Sequence, residues 1–214
     1  MEVQSMIFHS MKRSLLSGAL LAFCFQPALH AGTILSENFD GLTQQLAVTS
    51  AGAFTAINGT NVDIVGSSFG LCNGPESGNC IDMNGSNGNP QGQLQSTMVF
   101  TTGSYLLSFD LIGDQRGSTA SVTVSLGNYL QTFTLASADL SSGVVVNAPV
   151  TVTGTSQLLF TSGVGGNVGL LLDNVVVSTS ASSIPEPSSL ILIVSGLLGG
   201  LVALQRRRRE GQAC

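Results

Sequence analysis

The hydrophobic and polar positions of this chain separate it into two continuous apolar runs near its ends and an alternating region between them. From residue 32 to residue 180, short segments alternate apolar and polar side chains and are punctuated by Gly and Asn. Residues 119–126 show the pattern most clearly, because Val122, Val124 and Leu126 fall on one face while Ser and Thr occupy the other. A period of two residues predicts β-strands, and the abundance of Val, Thr and Ile favours the same structure.

The predicted strands are short and follow one another at regular intervals. They are expected at 33–39, 53–57, 62–65, 80–83, 93–100, 105–112, 119–126, 129–135, 144–153, 157–161 and 169–177. Gly127 and Asn128 separate two of them and predict a hairpin turn. About eight to eleven short strands joined by turns are typical of an all-β protein, built as an antiparallel β-sandwich or jelly roll. We therefore predict one domain over residues 32–180.

The apolar run near the N-terminus has the order of a secretory signal. Lys12 and Arg13 precede 11 apolar or small residues at 15–25, and the following segment ends in the small residue Ala31. The run is too short to cross about 30 Å of hydrocarbon, so a cleaved signal peptide at 1–31 is favoured over a signal anchor. We expect the protein to be exported.

The apolar run near the C-terminus is longer and is followed at once by a basic cluster. Residues 188–205 contain no charge and reach 18 residues, the lower limit for a membrane-spanning helix. The basic residues that follow are Arg206, Arg207, Arg208 and Arg209. Because clustered arginines stay on the cytoplasmic side, we predict a single transmembrane helix with a basic cytoplasmic tail at 206–214 and the body outside.

A proline-rich motif stands directly before this helix. Pro185, Glu186 and Pro187 end the linker at 181–187, and the two prolines keep the peptide extended. The motif, the short apolar helix and the terminal arginines together resemble the PEP-CTERM sorting signal of Gram-negative bacteria. The resemblance implies recognition and cleavage by an exosortase, an inner-membrane precursor that ends at the cell surface or outside the cell, and a host that makes exopolysaccharide or biofilm. The alternative is an ordinary tail anchor.

The charge of the body is strongly negative. Residues 32–183 carry nine acids and one base, Arg116, so their net charge is near −8 although the whole chain has −5. A surface of this kind repels phosphate backbones, which excludes nucleic acids as partners. It suits divalent cations or neutral partners such as sugars.

The body lacks the side chains of many catalytic sites. Both histidines, His9 and His30, lie in the leader, and residues 32–183 contain no Lys. This excludes a Ser-His-Asp or Cys-His unit, a His-ligated zinc and a Lys Schiff base, so we predict that the protein is not an enzyme. Asp110 and Asp114 form the obvious acid pair for a glycosidase, but their position near glycines is more typical of a solvated turn.

Two cysteines lie close together in the body. Cys72 and Cys80 are expected to form a structural disulfide outside the cell, because their spacing does not fit a redox pair and an oxidising compartment favours the bond.

Several body segments resemble the galactose-binding-like jelly rolls of secreted carbohydrate-binding modules. The matching segments are 37–40, 80–86, 104–110 and 172–177. The resemblance implies that the first and last strands lie together and share a structural calcium ion, held by Glu37 and Asp173 with Asp40 as a weaker candidate. Alternatively, Asp173 and Asn174 only cap or turn a strand. The polar segment 84–92, which follows Asp82, favours a flexible glycine loop, and its acid and amide oxygens make a calcium-binding loop the alternative.

Aromatic residues separate core candidates from one ligand candidate. Seven phenylalanines are expected in the core: Phe39, Phe54, Phe69, Phe100, Phe109, Phe133 and Phe160. Tyr129 stands beside the predicted turn and is the candidate sugar contact. The sequence thus predicts an exported, non-enzymatic cell-envelope or matrix protein associated with exopolysaccharide, with a calcium-containing carbohydrate-binding module as the alternative.

Overall fold

The chain folds into two antiparallel β-sheets packed face to face. The computed structural model describes residues 32–73, 78–87, 91–163 and 165–180. Over these residues it contains thirteen strands and one turn of 3₁₀ helix, Ser67–Phe69. The prediction of an all-β antiparallel sandwich is confirmed.

The first sheet, called sheet A, contains seven strands. They are β1 (Thr33–Glu37), β2 (Gln45–Val48), β5 (Val62–Gly66), β6 (Asn79–Asp82), β8 (Phe100–Ile112), β11 (Gly143–Ser156) and β13 (Leu171–Thr179). Their order is β11-β8-β13-β6-β5-β2, and β1 pairs with β13. The first and last strands therefore lie together, as the family resemblance implied.

The second sheet, sheet B, contains six strands. They are β3 (Ser50–Ala51), β4 (Phe54–Ala56), β7 (Gln93–Ser96), β9 (Thr119–Leu126), β10 (Tyr129–Ala136) and β12 (Leu159–Ser162), in the order β10-β9-β12-β7-β4-β3. Strands β9 and β10 form the predicted hairpin, with Leu126 opposite Tyr129 and unbroken pairing from there to Thr119 and Ala136.

The main core lies between the sheets and is organised around aromatic rings. Phe109 contacts Phe133 and Phe160 edge-on at centroid distances of 5.5 Å, and Phe54 lies 6.1 Å from Phe160 and 6.0 Å from Phe39. Such pairs add about 0.5–1.5 kcal/mol each to the gain from burial. Six of the seven phenylalanines expected in the core are buried, whereas Phe69 is 46% exposed because its 3₁₀ turn lies outside the sandwich.

A smaller cluster of buried side chains lies apart from the main core, and the disulfide is part of it. Its members are Val65, Leu71, Cys72, Cys80, Ile112 and Leu171. Because the neighbouring residues Ile64, Ile81, Leu111 and Leu172 belong to the main core, strand alternation places this cluster on the outer face of sheet A. The predicted bond between Cys72 and Cys80 is confirmed, and it holds the segment after β5 against this face.

Several strand boundaries differ from the predicted ones. The strand expected at 93–100 is wrong, because β7 ends at Ser96 and β8 begins at Phe100 in the other sheet. The hydroxyl of Ser96 bonds the carbonyl of Met98, 2.8 Å away, and so turns the chain without Gly or Pro. Strands β2 and β3 were missed because they are short and because Ala47 interrupts β2 with a φ of 55°.

The predicted signal peptide at 1–31, linker and motif at 181–187, helix at 188–205 and tail at 206–214 lie outside the described residues. Within the described part of the chain, no helix is long and apolar enough to cross a membrane.

Removing the disulfide should destabilise the body. We expect a Cys72→Ala/Cys80→Ala variant to lose about 2–3 kcal/mol of unfolding free energy, because the closed loop no longer restricts the unfolded chain. Urea unfolding of the oxidised wild type and the variant measures the difference. A reductant should lower the wild-type midpoint and leave that of the variant unchanged; equal midpoints for the oxidised proteins would contradict the prediction.

Candidate functional site

Four carboxylates gather where the first strand, the last strand and the long strand β8 meet. We call Glu37, Asp40, Asp110 and Asp173 the acidic cluster. Asp173 on β13 lies directly opposite Asp110 on β8, and Glu37 on β1 pairs with Val175, two residues further along β13. All three residues that the sequence analysis named for calcium are therefore brought to one region, together with Asp110, which it had considered only as a catalytic acid.

Asp173 is the most perturbed member of the acidic cluster. It is 2% exposed, and burial raises the pKa of its carboxyl to about 7; the backbone N–H of Asn174 opposes this shift, and the negative charges of Asp40, Asp110 and Glu37 add to it. One carboxylate oxygen accepts a hydrogen bond from the Asn174 N–H at 2.7 Å. The other oxygen accepts no hydrogen bond from the described residues.

The other acids of the cluster already have hydrogen-bond partners. Glu37 accepts bonds of 2.9 Å from the N–H groups of Phe39 and Ala53, and so joins β1 to the turn between β3 and β4 in sheet B. Asp40 accepts a bond of 2.9 Å from the Asn79 N–H, and Asp110 one of 2.9 Å from the Asn174 side chain. Glu37 thus has a structural role whether or not a metal binds.

Gly52 makes the position of Glu37 possible. Its φ is 56°, and a Cβ built on it would lie 1.9 Å from a carboxylate oxygen of Glu37. Only a residue without a side chain fits this approach.

The cluster does not form a complete metal site from side chains alone. Among the described residues, no group of three or more His, Cys, Asp or Glu side chains is arranged to hold a metal ion. A cation here would need backbone or water oxygens beside Asp173 and Asp110, which calcium accepts readily. The predicted set of Glu37, Asp40 and Asp173 stays a prediction.

An ion pair between a partly exposed base and a buried acid lies at the C-terminal end of β6. Arg116 contacts Asp82, whose side chain is fully buried and also accepts bonds from the N–H groups of Asn84 at 3.0 Å and Gly169 at 2.8 Å. Burial raises the pKa of Asp82 to about 6, although the Arg116 charge opposes the shift. Sequence reasoning missed this pair because the two residues lie 34 positions apart. Arg116, the one base of residues 32–183, is therefore paired with an acid of the fold.

Asp110 and Asp114, the two acids considered for a glycosidase, each have hydrogen-bond partners within the fold. Asp114 is fully buried and accepts bonds from the N–H groups of Arg116 at 2.8 Å and Ser118 at 3.0 Å, so the expectation of a solvated turn is wrong about solvation. These bonds nevertheless stabilise a turn, because the carboxylate accepts hydrogen bonds from the backbone two and four residues ahead. Asp110 faces Asp173 and Asn174 instead.

The polar loop at 84–92 is partly described. Asn84 is 1% exposed, donates to the Val168 carbonyl at 3.2 Å and accepts from the Gly92 N–H at 3.2 Å. Residues 88–90 lie outside the described residues. The side chain of Asn84 therefore joins the start of this loop to Val168 and to Gly92.

An uncharged concavity of about 360 Å³ lies between the β9–β10 turn and β11. It is lined by Gly127, Asn128, Thr151, Thr153, Thr155 and Ser156. Tyr129, the candidate sugar contact, is not in this lining. Its ring packs against the main core, and its hydroxyl donates to Gln131 at 2.9 Å. A role in ligand binding stays a prediction for this residue.

Comparison with known proteins identifies the tail. A PEP-CTERM protein-sorting motif matches residues 183–209, which confirms the resemblance of the C-terminal segment. No curated protein matches the chain.

Solved structures similar to the body have low identity to it. The K3 cleaved adhesin domain of Lys-gingipain from Porphyromonas gingivalis is 13% identical, with a TM-score of 0.46 over 70% of this chain and 100% of that domain. The CBM22-1 xylan-binding domain from Paenibacillus barcinonensis Xyn10C is 16% identical, with a TM-score of 0.41 over 72% of this chain and 97% of that domain.

The raised pKa of Asp173 predicts a measurable pH dependence. Because its folded-state pKa is about 7 against an ordinary 3.8, the folded protein keeps a proton that the unfolded chain has released. The contribution of the Asp173 carboxyl to the free energy of unfolding is therefore fully present below pH 4 and is lost as the pH rises towards 7. With EDTA present, we expect Asp173→Asn to stabilise the protein by about 1–2 kcal/mol at pH 8 and to change it little at pH 4.

Urea unfolding at pH 4, 5 and 8 tests this prediction. Asp139→Asn is the matched control, because Asp139 lies in the β10–β11 turn and hydrogen bonds from Ser142 and Ser141 lower its pKa. The Asp139→Asn variant should show the same change in the free energy of unfolding between pH 5 and pH 8 as the wild type. An equal pH dependence in wild type and Asp173→Asn would exclude titration of Asp173 in this range.

Proposed function

We propose that this chain is an exported, non-catalytic protein of the bacterial cell envelope or extracellular matrix that is sorted and cleaved by an exosortase. The observation that carries this proposal is the PEP-CTERM motif at residues 183–209. The last strand ends at Thr179 and the motif begins four residues later, so the motif follows the folded domain with almost no spacer. The signal peptide predicted at 1–31 supplies the route across the membrane, and the helix predicted at 188–205 holds the precursor in it.

The chemistry of the body supports a non-catalytic role. Residues 32–183 contain no His or Lys. The only base, Arg116, pairs with the buried Asp82, and Asp114 is bonded to backbone N–H groups. These groups stabilise the fold and are poorly placed to transfer protons to a substrate.

Association with exopolysaccharide is the second part of the proposal. It is supported by the sorting signal, whose family resemblance implies a host that makes such polymers, and by the charge of the body, which suits cations and neutral sugars. A carbohydrate-binding module with a structural calcium ion is the more specific candidate. It is favoured by Asp173, a buried carboxylate beside Asp110 in which one oxygen accepts no hydrogen bond from the described residues.

Processing of the tail tests the sorting proposal. Expressed in an exosortase-positive host, the mature protein should have an intact mass that lacks the leader and the helix with its arginines. Glu186→Ala should leave the uncleaved precursor in the membrane fraction, because it removes the acid between the two prolines.

The matched control is Glu210→Ala, which removes an acid just beyond the matched segment. It should be processed like the wild type. Removal of the helix and its arginines from Glu186→Ala as completely as from the wild type, or a wild-type chain that keeps Arg206 to Arg209 in its mature form, would overturn the proposed sorting.

Calcium binding is tested by thermal unfolding at pH 8. We expect millimolar Ca²⁺ to raise the Tm by roughly 5 °C, because a bound cation stabilises only the folded chain and relieves repulsion around Asp173. Asp173→Asn should abolish the shift, and Asp139→Asn should retain it. If Ca²⁺ leaves the wild-type Tm unchanged, the calcium site is wrong while the sorting proposal stands.

A further inference from the structure

The charged residues of the strands are confined to one of the two sheets. Glu37, Asp63, Asp82, Asp110 and Asp173 all lie on strands of sheet A. The six strands of sheet B contain no Asp, Glu, Lys or Arg. The sandwich therefore has one acidic sheet and one sheet without charge.

The outward side of sheet B carries hydroxyl and amide groups in transverse rows. Val122, Val124 and Phe160 point into the core, so their neighbours along each strand face outward. The strand register places one row in the order Thr132, Thr123, Thr161, Gln93. A parallel row contains Leu130, Ser125, Leu159 and Gln95 in that order, so apolar and polar side chains alternate along it. We call the six polar residues of these rows the hydroxyl face.

The hydroxyl face has free hydrogen-bonding capacity. Thr123 and Thr132 share one bond of 2.9 Å, which leaves most of the donor and acceptor capacity of the two hydroxyls unused. The side chains of Ser125, Thr161 and Gln95 make no hydrogen bond to any described residue. All six residues are exposed or half-exposed. A row of four strands spans about 14 Å at the usual strand spacing, which gives an extended partner several adjacent contacts.

We infer that the hydroxyl face is the docking surface for a neutral polysaccharide, an inference that rests on the proposed function. A neutral chain of sugars presents the hydroxyl groups that Ser, Thr and Gln side chains bond, and it needs no charged partner. An acidic polysaccharide is disfavoured because sheet B offers no cation and the body carries a charge near −8.

A protein partner fits this surface less well. Stable protein interfaces depend on aromatic or Arg anchors in buried pockets, and the outward side of sheet B has neither. Each sugar contact is weak, so binding arises from many contacts along one polymer.

Affinity electrophoresis of the full-length chain in a polyoxyethylene detergent tests this inference. The chain has a net charge of −5 and migrates in a native gel. Galactomannan is the neutral probe and alginate is the acidic one. We expect galactomannan to retard the wild type both at low salt and in about 0.5 M salt, where charge interactions are screened. Alginate should not retard it.

The variant Thr123→Ala/Thr161→Ala removes two central hydroxyls of the face. It should bind galactomannan roughly tenfold more weakly, as expected for the loss of two neutral hydrogen bonds. The matched control Thr151→Ala/Thr153→Ala removes two exposed hydroxyls from β11 in sheet A and should bind like the wild type.

Three results would overturn the inference. The first is that galactomannan fails to retard the wild type. The second is that the control loses binding as much as the face variant, which would show that the loss is not specific to the hydroxyl face. The third is that the face variant binds galactomannan like the wild type and differs from it only in sedimentation coefficient. That result would make the hydroxyl face a contact between copies of the chain. In each case, processing of the tail at Glu186 decides the sorting proposal separately.

Discussion

The fold depends on hydrogen bonds between buried or half-buried carboxylates and backbone N–H groups. With one arginine against nine acids, the body cannot neutralise its acids by ion pairs. Glu37 instead joins the two sheets through the N–H groups of Phe39 and Ala53, and Asp63 binds the N–H groups of Ala47 and Ser86 at 2.6 and 2.9 Å. Asp82 does the same for Asn84 and Gly169. Each carboxylate closes a loop onto a strand, and a charge-assisted bond of this kind is stronger than a neutral one.

This arrangement also separates the two sides of the molecule. Three of the acids that hold loops in place, Glu37, Asp63 and Asp82, lie on strands of sheet A. Sheet B is held by its register and by the aromatic core, so its outward positions are free to carry hydroxyl and amide groups. A single domain can thereby present one face that attracts cations and one face that carries no charge. Such a division suits a protein proposed to lie among extracellular polymers.

Local patterns predicted more of the molecule than distant contacts did. The β9–β10 hairpin followed from alternation and the Gly127 turn, the disulfide from the spacing of Cys72 and Cys80, and the sorting motif from adjacent residues at the C-terminus. The break between β7 and β8 was missed because it depends on the side chain of Ser96 and on a change of sheet. The Asp82–Arg116 pair and the place of Asp110 beside Asp173 depend on strand register, which alternation alone does not specify. Asp114 was misjudged because a turn that bonds its own acid looks, in sequence, like a solvated one.

The position of β13 determines how the protein responds to mechanical load. This strand lies inside sheet A, between β8 and β6 with β1, and hydrogen bonds continue to its end, where Thr179 donates to Gly32 and Ser180 to Ser104. Tension applied at Ser180 along the axis of β13 is perpendicular to the hydrogen bonds of this strand with its neighbours. Those bonds share the force in shear and do not open one after another as they would in peeling. A chain tethered at this end resists extraction by drag better than one tethered through an edge strand.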